Sequence, residues 1–244
     1  MAGREMIGIV CAMQCEIDGL VKAMGSFHKT RCGDMDVYVG NVGDVPVSIC
    51  LSGVGKVAAA VATTALVIRY GCTSVINSGV AGALVDDLTC GDVCVAKDAI
   101  QYDVDVTALG YERCVIPGHA GATFPCSKDM TARLLHAANE VATIERNDGK
   151  EGFGITSGRI ASGDRFVSDG RERTIVRETS DGTCCDIEGA SVVETCEKLD
   201  IPCAIIRCVS DDCHGFIPIA YDKYEPIAAA RSSEIVLRAL RGMD

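Results

Sequence analysis

Three carboxylates stand where apolar runs end. Glu16 follows the run 6–13, Glu188 follows Cys184-Cys185-Asp186-Ile187, and Asp211 closes Ala204-Ile205-Ile206-Arg207-Cys208-Val209-Ser210. If these runs are neighbouring strands, the three side chains project into one cleft. Carboxylates crowded together acquire separated pKa values, so one can serve as an acid and another as a base near neutral pH. Each taken alone also fits a helix N-terminal carboxylate favoured by the macrodipole. Arg207 sits four residues before Asp211 in an otherwise almost wholly apolar run. A charge there needs a ligand or a buried ion-pair partner.

Two glycine-rich segments add a possible cradle. Ser52-Gly53-Val54-Gly55-Lys56 looks like a phosphate loop but fails as one, because position 50 is Cys and Lys56 is followed by Val57. Gly79-Val80-Ala81-Gly82 follows the strand-like run ending at Asn77 and carries only Gly-x-x-Gly. Both allow a flat or polyhydroxylated ligand to approach the backbone, and both also fit a tight turn into a helix. Phe166, in Ser162-Gly163-Asp164-Arg165-Phe166, is one of five Phe and stands at a strand-to-loop junction. It could stack on a base or fill the core. The nearest approach to a metal cluster is Asp211-Asp212-Cys213-His214. Paired ligands at finger-like spacing are missing, so no metal is expected.

The elements that must position these residues alternate between the two periods. Residues 6–13 form a continuous apolar run, as in a strand buried on both faces. Helical spacing follows from Ile17 to Met24. Runs 36–42 and 45–51 flank Gly43-Asp44 as a hairpin. Helices are expected over 56–70, from Ser127 as N-cap to about 141, over 171–178, over 188–199 and from about Tyr221 onward. Strands are expected at 74–77, 91–102, 152–161, 184–187 and 201–210. No linker or repeat divides the chain. The reading is α/β: a single three-layer domain over 1–244, with a central, mostly parallel (mixed) twisted sheet flanked by helices on both faces. The cleft then lies at the carboxyl ends of the strands.

The chain has 244 residues and a formal net charge of −11. That field repels phosphate backbones and anionic lipid, which argues against nucleic-acid or membrane-surface binding. Fifteen cysteines, an odd number, sit largely inside apolar runs such as Val10-Cys11-Ala12. Residues 1–5 precede the first strand without an apolar leader. The cysteines therefore read as small buried hydrophobes kept reduced in a cytoplasmic setting. The longest apolar stretch, 57–68, is too short to span a bilayer.

Several segments carry a resemblance: Gly8-Ile9-Val10-Cys11-Ala12-Met13-Gln14-Cys15-Glu16, Ser52-Gly53-Val54-Gly55-Lys56-Val57, Asn77-Ser78-Gly79-Val80-Ala81-Gly82 and Gly91-Asp92-Val93. Further along stand Asp105-Val106-Thr107-Ala108-Leu109-Gly110-Tyr111, Ser162-Gly163-Asp164-Arg165-Phe166, Asp186-Ile187-Glu188-Gly189-Ala190 and Arg207-Cys208-Val209-Ser210-Asp211. In order and spacing, from about residue 6 to the C-terminal helix, they resemble the 5′-methylthioadenosine/S-adenosylhomocysteine nucleosidases of the purine nucleoside phosphorylase-like fold. The resemblance implies hydrolysis of the N-glycosidic bond of 5′-methylthioadenosine, S-adenosylhomocysteine and 5′-deoxyadenosine to adenine and the 5-substituted ribose, without a cofactor. It implies that Glu16 activates water, that Asp211, helped by Ser210, protonates N7 of adenine, and that Glu188 binds the ribose hydroxyls and the cationic sugar. A poor leaving group needs an acid, a weak nucleophile a base and a developing cation an anion. The resemblance also places Phe166 and Val167 on adenine and Ile187 on the ribose. Met13, Val106 and Tyr221 would line the 5′-alkylthio pocket, and Val80, Ala81, Gly82 and Arg207 the rest of the substrate site. Leu109 and Pro117 would reach the pocket of a second subunit, so a homodimer is implied.

Ile187 stands where the family typically has Met, Leu109 where Phe is common, and Cys15 where an acidic residue is frequent. These departures bear on the 5′ substituent, not on the bond cleaved. Three other readings compete. A phosphate-dependent purine nucleoside phosphorylase needs cations, and residues 79–89 contain no Arg or Lys. An aminodeoxyfutalosine hydrolase would act on a larger 5′-substituted adenosine. A nucleoside-binding protein without catalysis would not need all three carboxylates.

Overall fold

The run expected to open the sheet does so: β1 (Ile7–Cys11) is buried along its whole length. The computed structural model describes residues 5–213 and 218–242, the side chains of 218–222 excepted. After β1 come α1 (Gln14–Ala23), β2 (Phe27–Cys32), β3 (Met35–Val42), β4 (Val45–Leu51), α2 (Lys56–Ile68), β5 (Ser74–Ala83) and β6 (Val93–Gln101). A 3-10 turn at Thr107–Leu109 precedes β7 (Thr123–Pro125), α3 (Lys128–Asn147), β8 (Ile155–Ser162) and α4 (Gly170–Ser180). The chain continues through β9 (Cys184–Asp186), α5 (Gly189–Lys198), β10 (Cys203–Asp211) and α6 (Pro218–Arg241).

The sheet is mixed, as expected from the sequence, but it is neither mostly parallel nor a plain twisted sheet. Parallel pairs β1–β4, β1–β5, β5–β10, β6–β8 and β8–β9 are matched by antiparallel pairs β2–β3, β3–β4, β5–β9, β6–β7 and β6–β10. Strand β10 pairs with both β6 and β5, so β5, β10, β6, β8 and β9 close into a five-stranded barrel. From β5 the sheet continues outward through β1, β4, β3 and β2. Irregularities in β10 between Val209 and Asp211 and in β6 between Ala96 and Asp98 supply the local bends that closure requires.

Helices cover both sides, as expected. α1, α3 and α6 pack together on one side, around Ile17, Leu20, Leu134, Ala138 and Ile235. α2 and α5 cover the other, where Ala59, Ala62 and Leu66 meet Val192 and Cys196. Ser127 caps α3 by accepting from the Met130 amide at 3.4 Å. α3 runs to Asn147, past the expected end, because residues beyond Val141 remain helix-compatible although Ile144 faces solvent. β2 has no counterpart in the sequence reading. It is an exposed edge strand bearing Lys29 and Arg31, with no apolar alternation to announce it. All the cysteines are free, and all but Cys15, Cys32 and Cys90 are buried. No helix among the described residues is long and apolar enough to cross a membrane.

Candidate active site

Where β1 gives way to α1, Glu16 falls in the first helical turn and turns back over the strand ends. Its Oε2 accepts the amides of Ala12 at 2.8 Å and Met13 at 3.0 Å, and its Oε1 accepts the amide of Val80 at 3.0 Å. Burial pushes its pKa up, against the opposing pull of Arg207 and the three amides.

Val80 belongs to β5, which corrects the reading of Gly79–Gly82 as a turn after a strand ending at Asn77. The segment continues the strand to Ala83. Its glycines serve close approach: a Cβ on Gly79 would lie 2.5 Å from Glu16 Oε1, and one on Gly82 would lie 3.0 Å from Asp211 Oδ1 and 2.2 Å from Cys213 Sγ.

β9 ends at Asp186, and Glu188 follows as the residue before α5. Glu188 is buried and accepts the Gly55 amide at 3.0 Å through Oε1. Burial, then the charge of Asp186, pushes its pKa up to about 7 against the pull of Arg207 and the Gly55 amide. Arg207 is 1% exposed. Its Nε and Nη2 donate to Asp186 Oδ2 at 2.9 and 2.6 Å, and its remaining donors go to the Asn77 side chain and to the Asn77 and Ile206 carbonyls. Asp186 also accepts from Ser162 Oγ and the Gly189 amide. Arg207 therefore lies beneath the cavity wall as a satisfied buried ion pair and is not among the residues that line it.

At the end of β10, Asp211 Oδ2 accepts from Ser210 Oγ at 3.0 Å, while Oδ1 accepts from the Cys213 amide and thiol, each at 3.2 Å. Ser210 Oγ also lies 3.4 Å from the Ala81 carbonyl. Its one proton can thus point to either oxygen, so the serine can donate to a carboxylate or accept from a protonated Asp211.

These elements enclose one cavity of about 230 Å³. Glu16, Glu188 and Asp211 all line it, together with Met13, Val80, Ala81, Gly82, Phe166, Val167, Ile187 and Ser210. Phe166 is 43% exposed at the mouth while Val167 is buried. Val106, Leu109 and Pro117 lie away from it: Val106 is half-buried beside the 3-10 turn, and Leu109 and Pro117 are exposed. The side chains of Tyr221 and His214 lie outside the described residues. Sequence reasoning missed Ala12, Val54, Arg165, Cys185, Asp186 and Cys213 as lining residues. Only Asp186 carried a signal, a carboxylate two residues before Glu188.

The arrangement offers a buried base, a carboxylate with an adjustable hydroxyl partner, and a second buried carboxylate near neutrality, on an otherwise largely apolar wall. That set can add water to a carbon that becomes cationic while it protonates a departing heterocycle. The family model of the phosphorylase superfamily matches residues 6–241. A 5′-methylthioadenosine/S-adenosylhomocysteine nucleosidase of Shewanella pealeana is 32% identical over 237 residues, covering 96% of this chain and 98% of the relative. The solved structure of such a nucleosidase from Neisseria meningitidis, in complex with methylthio-immucillin-A, superposes with a TM-score of 0.90 at 31% identity, covering 98% of this chain and 99% of the other. The futalosine hydrolase of Helicobacter pylori superposes with a TM-score of 0.89 at 28% identity, covering 98% of each chain.

Proposed function

Since the chain belongs to the phosphorylase superfamily, and within it to the 5′-methylthioadenosine/S-adenosylhomocysteine nucleosidases, we propose that it hydrolyses the N-glycosidic bond of 5′-methylthioadenosine and S-adenosylhomocysteine, and of 5′-deoxyadenosine, releasing adenine and the 5-substituted ribose. The observation that carries this reading is the convergence of Glu16, Glu188 and Asp211 on one cavity.

Glu16 activates water, its burial raising its basicity. Asp211 carries the proton that goes to N7 of the leaving adenine, with Ser210 switching between the Asp211 carboxyl and the Ala81 carbonyl as that proton leaves. Glu188 binds the ribose hydroxyls and, ionised, stabilises the positive charge that grows on the sugar. Phe166 stacks on adenine, Val167 meets its edge, and Ile187 packs on the ribose. Met13 bounds the 5′ substituent, where the family resemblance also assigns Tyr221; Val106, away from this chain's cavity, is not given that place. Leu109 and Pro117 complete the pocket of a second copy, in a cytoplasmic homodimer. The exposure of Leu109 and Pro117 away from this chain's own cavity supports that assignment.

Hydrolysis is favoured over phosphorolysis by the fate of the backbone donors. The amides of Ala12, Met13 and Val80, which a phosphate could use, are occupied by the Glu16 carboxylate. The likeness to a futalosine hydrolase keeps a larger 5′-substituted adenosine, such as aminodeoxyfutalosine, as the second reading. Adenine release from 5′-methylthioadenosine, measured with and without phosphate, tests the proposal. Phosphate-independent release of free 5-methylthioribose is expected. Strict phosphate dependence overturns hydrolysis, and release only from the larger substrate moves the assignment to it.

A further inference from the structure

The segment that resembles a phosphate loop without being one ends at Lys56, the first residue of α2. A cation in the first turn of a helix opposes the macrodipole. The start of α2 also lacks a cap of its own, since the N-cap is Gly55, at φ +110 and ψ 154, a conformation suited to glycine. Two carboxylates from distant elements take its amides instead. Gly55 N donates to Glu188 Oε1 at 3.0 Å, and Lys56 N donates to Asp164 Oδ1 at 2.9 Å.

The Lys56 side chain closes this arrangement into a ring. Its Nζ, largely shielded from solvent, donates to Asp103 Oδ1 at 2.7 Å and to Gln101 Oε1 at 3.0 Å. Asp103 Oδ2 accepts the Asp164 amide at 3.0 Å, and Asp164 returns to the Lys56 amide. Three chain segments meet here: the start of α2, the residues after β6, and the 163–166 stretch that carries Phe166. No atom of Lys56 lines the cavity.

We propose that Lys56 is a positioning residue, which pins Asp103, and through it Asp164, to the start of α2 and so holds the Gly55 amide on Glu188 and the Phe166 segment at the cavity mouth. This deepens, and rests on, the reading of the cavity as a nucleosidase site. Without the pin, the N-terminal turn of α2 loosens and Glu188 loses the donor that favours its charged form. The other groups acting on Glu188 are unchanged: Asp186 and Glu16 raise its pKa, and Arg207 lowers it. The net result is a Glu188 that ionises at higher pH and binds the sugar less well.

The test is the pH profile of kcat/KM for 5′-methylthioadenosine in the wild type, Lys56→Met, Lys56→Arg and Asp103→Asn, with circular dichroism as a folding control. The wild-type acidic limb is expected near pH 7. In Lys56→Met, kcat/KM falls about 10- to 100-fold, and the limb moves up by about half to one pH unit. Lys56→Arg keeps the charge and recovers much of both changes. Asp103→Asn, nearly isosteric, moves the limb in the same direction and carries the test should Lys56→Met fail to fold. A loss that is uniform across pH, with the limb in its wild-type place, marks mere structural damage and overturns the proposal. Full activity in Lys56→Met overturns it too. A wild type that releases no adenine overturns the functional reading instead, and the role of Lys56 falls with it.

Discussion

Glu16 and Val80, 64 residues apart, are joined by a hydrogen bond of 3.0 Å from the Val80 amide to Glu16 Oε1. The contact fastens the first turn of α1 to the middle of a barrel strand. With the amides of Ala12 and Met13, three backbone donors hold one side chain in one place and leave about one of its four acceptor sites open. A base held this way is aimed before any ligand arrives, and its orientation needs no further ordering during reaction.

Glu16→Gln should therefore lower kcat by about 10²- to 10⁴-fold, the usual worth of a general base. The replacement keeps the volume but turns one acceptor into a donor among three N–H groups. Affinity for a non-reactive nucleoside analogue, measured by calorimetry, should change far less than kcat. Near-wild-type turnover would mean that the water is held by another group.

The same contact predicts the effect of Gly79→Ala. The new methyl would lie 2.5 Å from Glu16 Oε1 and 3.4 Å from Arg207 Nη1. Both neighbours are buried and hydrogen-bonded, so neither has room to yield. Turnover should drop by at least about 10-fold while circular dichroism remains that of a folded chain. Unchanged kinetics would show that the carboxylate is free to move aside.

The three carboxylates could be found from the sequence because each ends a run whose apolar character needs no context. Arg207 declared itself in the same way, as a charge inside such a run, though its partner did not: Asp186 sits on another strand and nothing local links them. Barrel closure was hidden for a similar reason. It depends on β10 pairing with β5 at Cys203↔Val75 through Asp211↔Gly82, a register fixed by bulges and long-range packing. For Gly79 and Gly82 the sequence offers only backbone approach of a ligand or a tight turn. Their actual service is space for Glu16, Asp211 and Cys213, which sequence spacing cannot express.

Asp211→Asn tests the proposed proton donor without changing volume. With its amide oxygen in the Oδ1 position the new side chain still accepts the Cys213 amide, and its NH2 in the Oδ2 position donates to Ser210 Oγ, whose own proton turns to the Ala81 carbonyl, so the loop should hold its shape. Adenine release from 5′-methylthioadenosine should fall below detection while the urea midpoint stays within about 0.5 kcal/mol of wild-type stability. Retained activity would remove Asp211 as the proton donor.

Arg207→Met should be the most destabilising of these changes. The side chain fits the apolar surroundings, but Asp186 is left as a buried carboxylate without its cation. Breaking one side of such a pair costs about 3–5 kcal/mol. The double variant Arg207→Met/Asp186→Asn should recover part of the loss, since it no longer strands a charge. Urea unfolding of the single and double variants measures the coupling. Equal stability of the two would mean that Asp186 is compensated by Ser162 and the Gly189 amide alone.

Glu188 makes stability itself depend on pH, and its sign is opposite to that of an ordinary salt-bridged acid. Its folded pKa of about 7 lies above the unfolded value of 4.5, so the folded state binds the proton more tightly. The stabilisation is complete below pH 4.5 and is lost as pH rises through 7, reaching about 3 kcal/mol. Glu188→Gln is neutral at every pH and keeps an oxygen to accept the Gly55 amide. Its stability relative to the wild type should thus rise by about 3 kcal/mol between pH 4.5 and pH 8. Urea unfolding at those two pH values reads this directly. A difference that does not change with pH would show that Glu188 ionises as a solvent-exposed glutamate does, and would withdraw it as the group that sets the acidic limb.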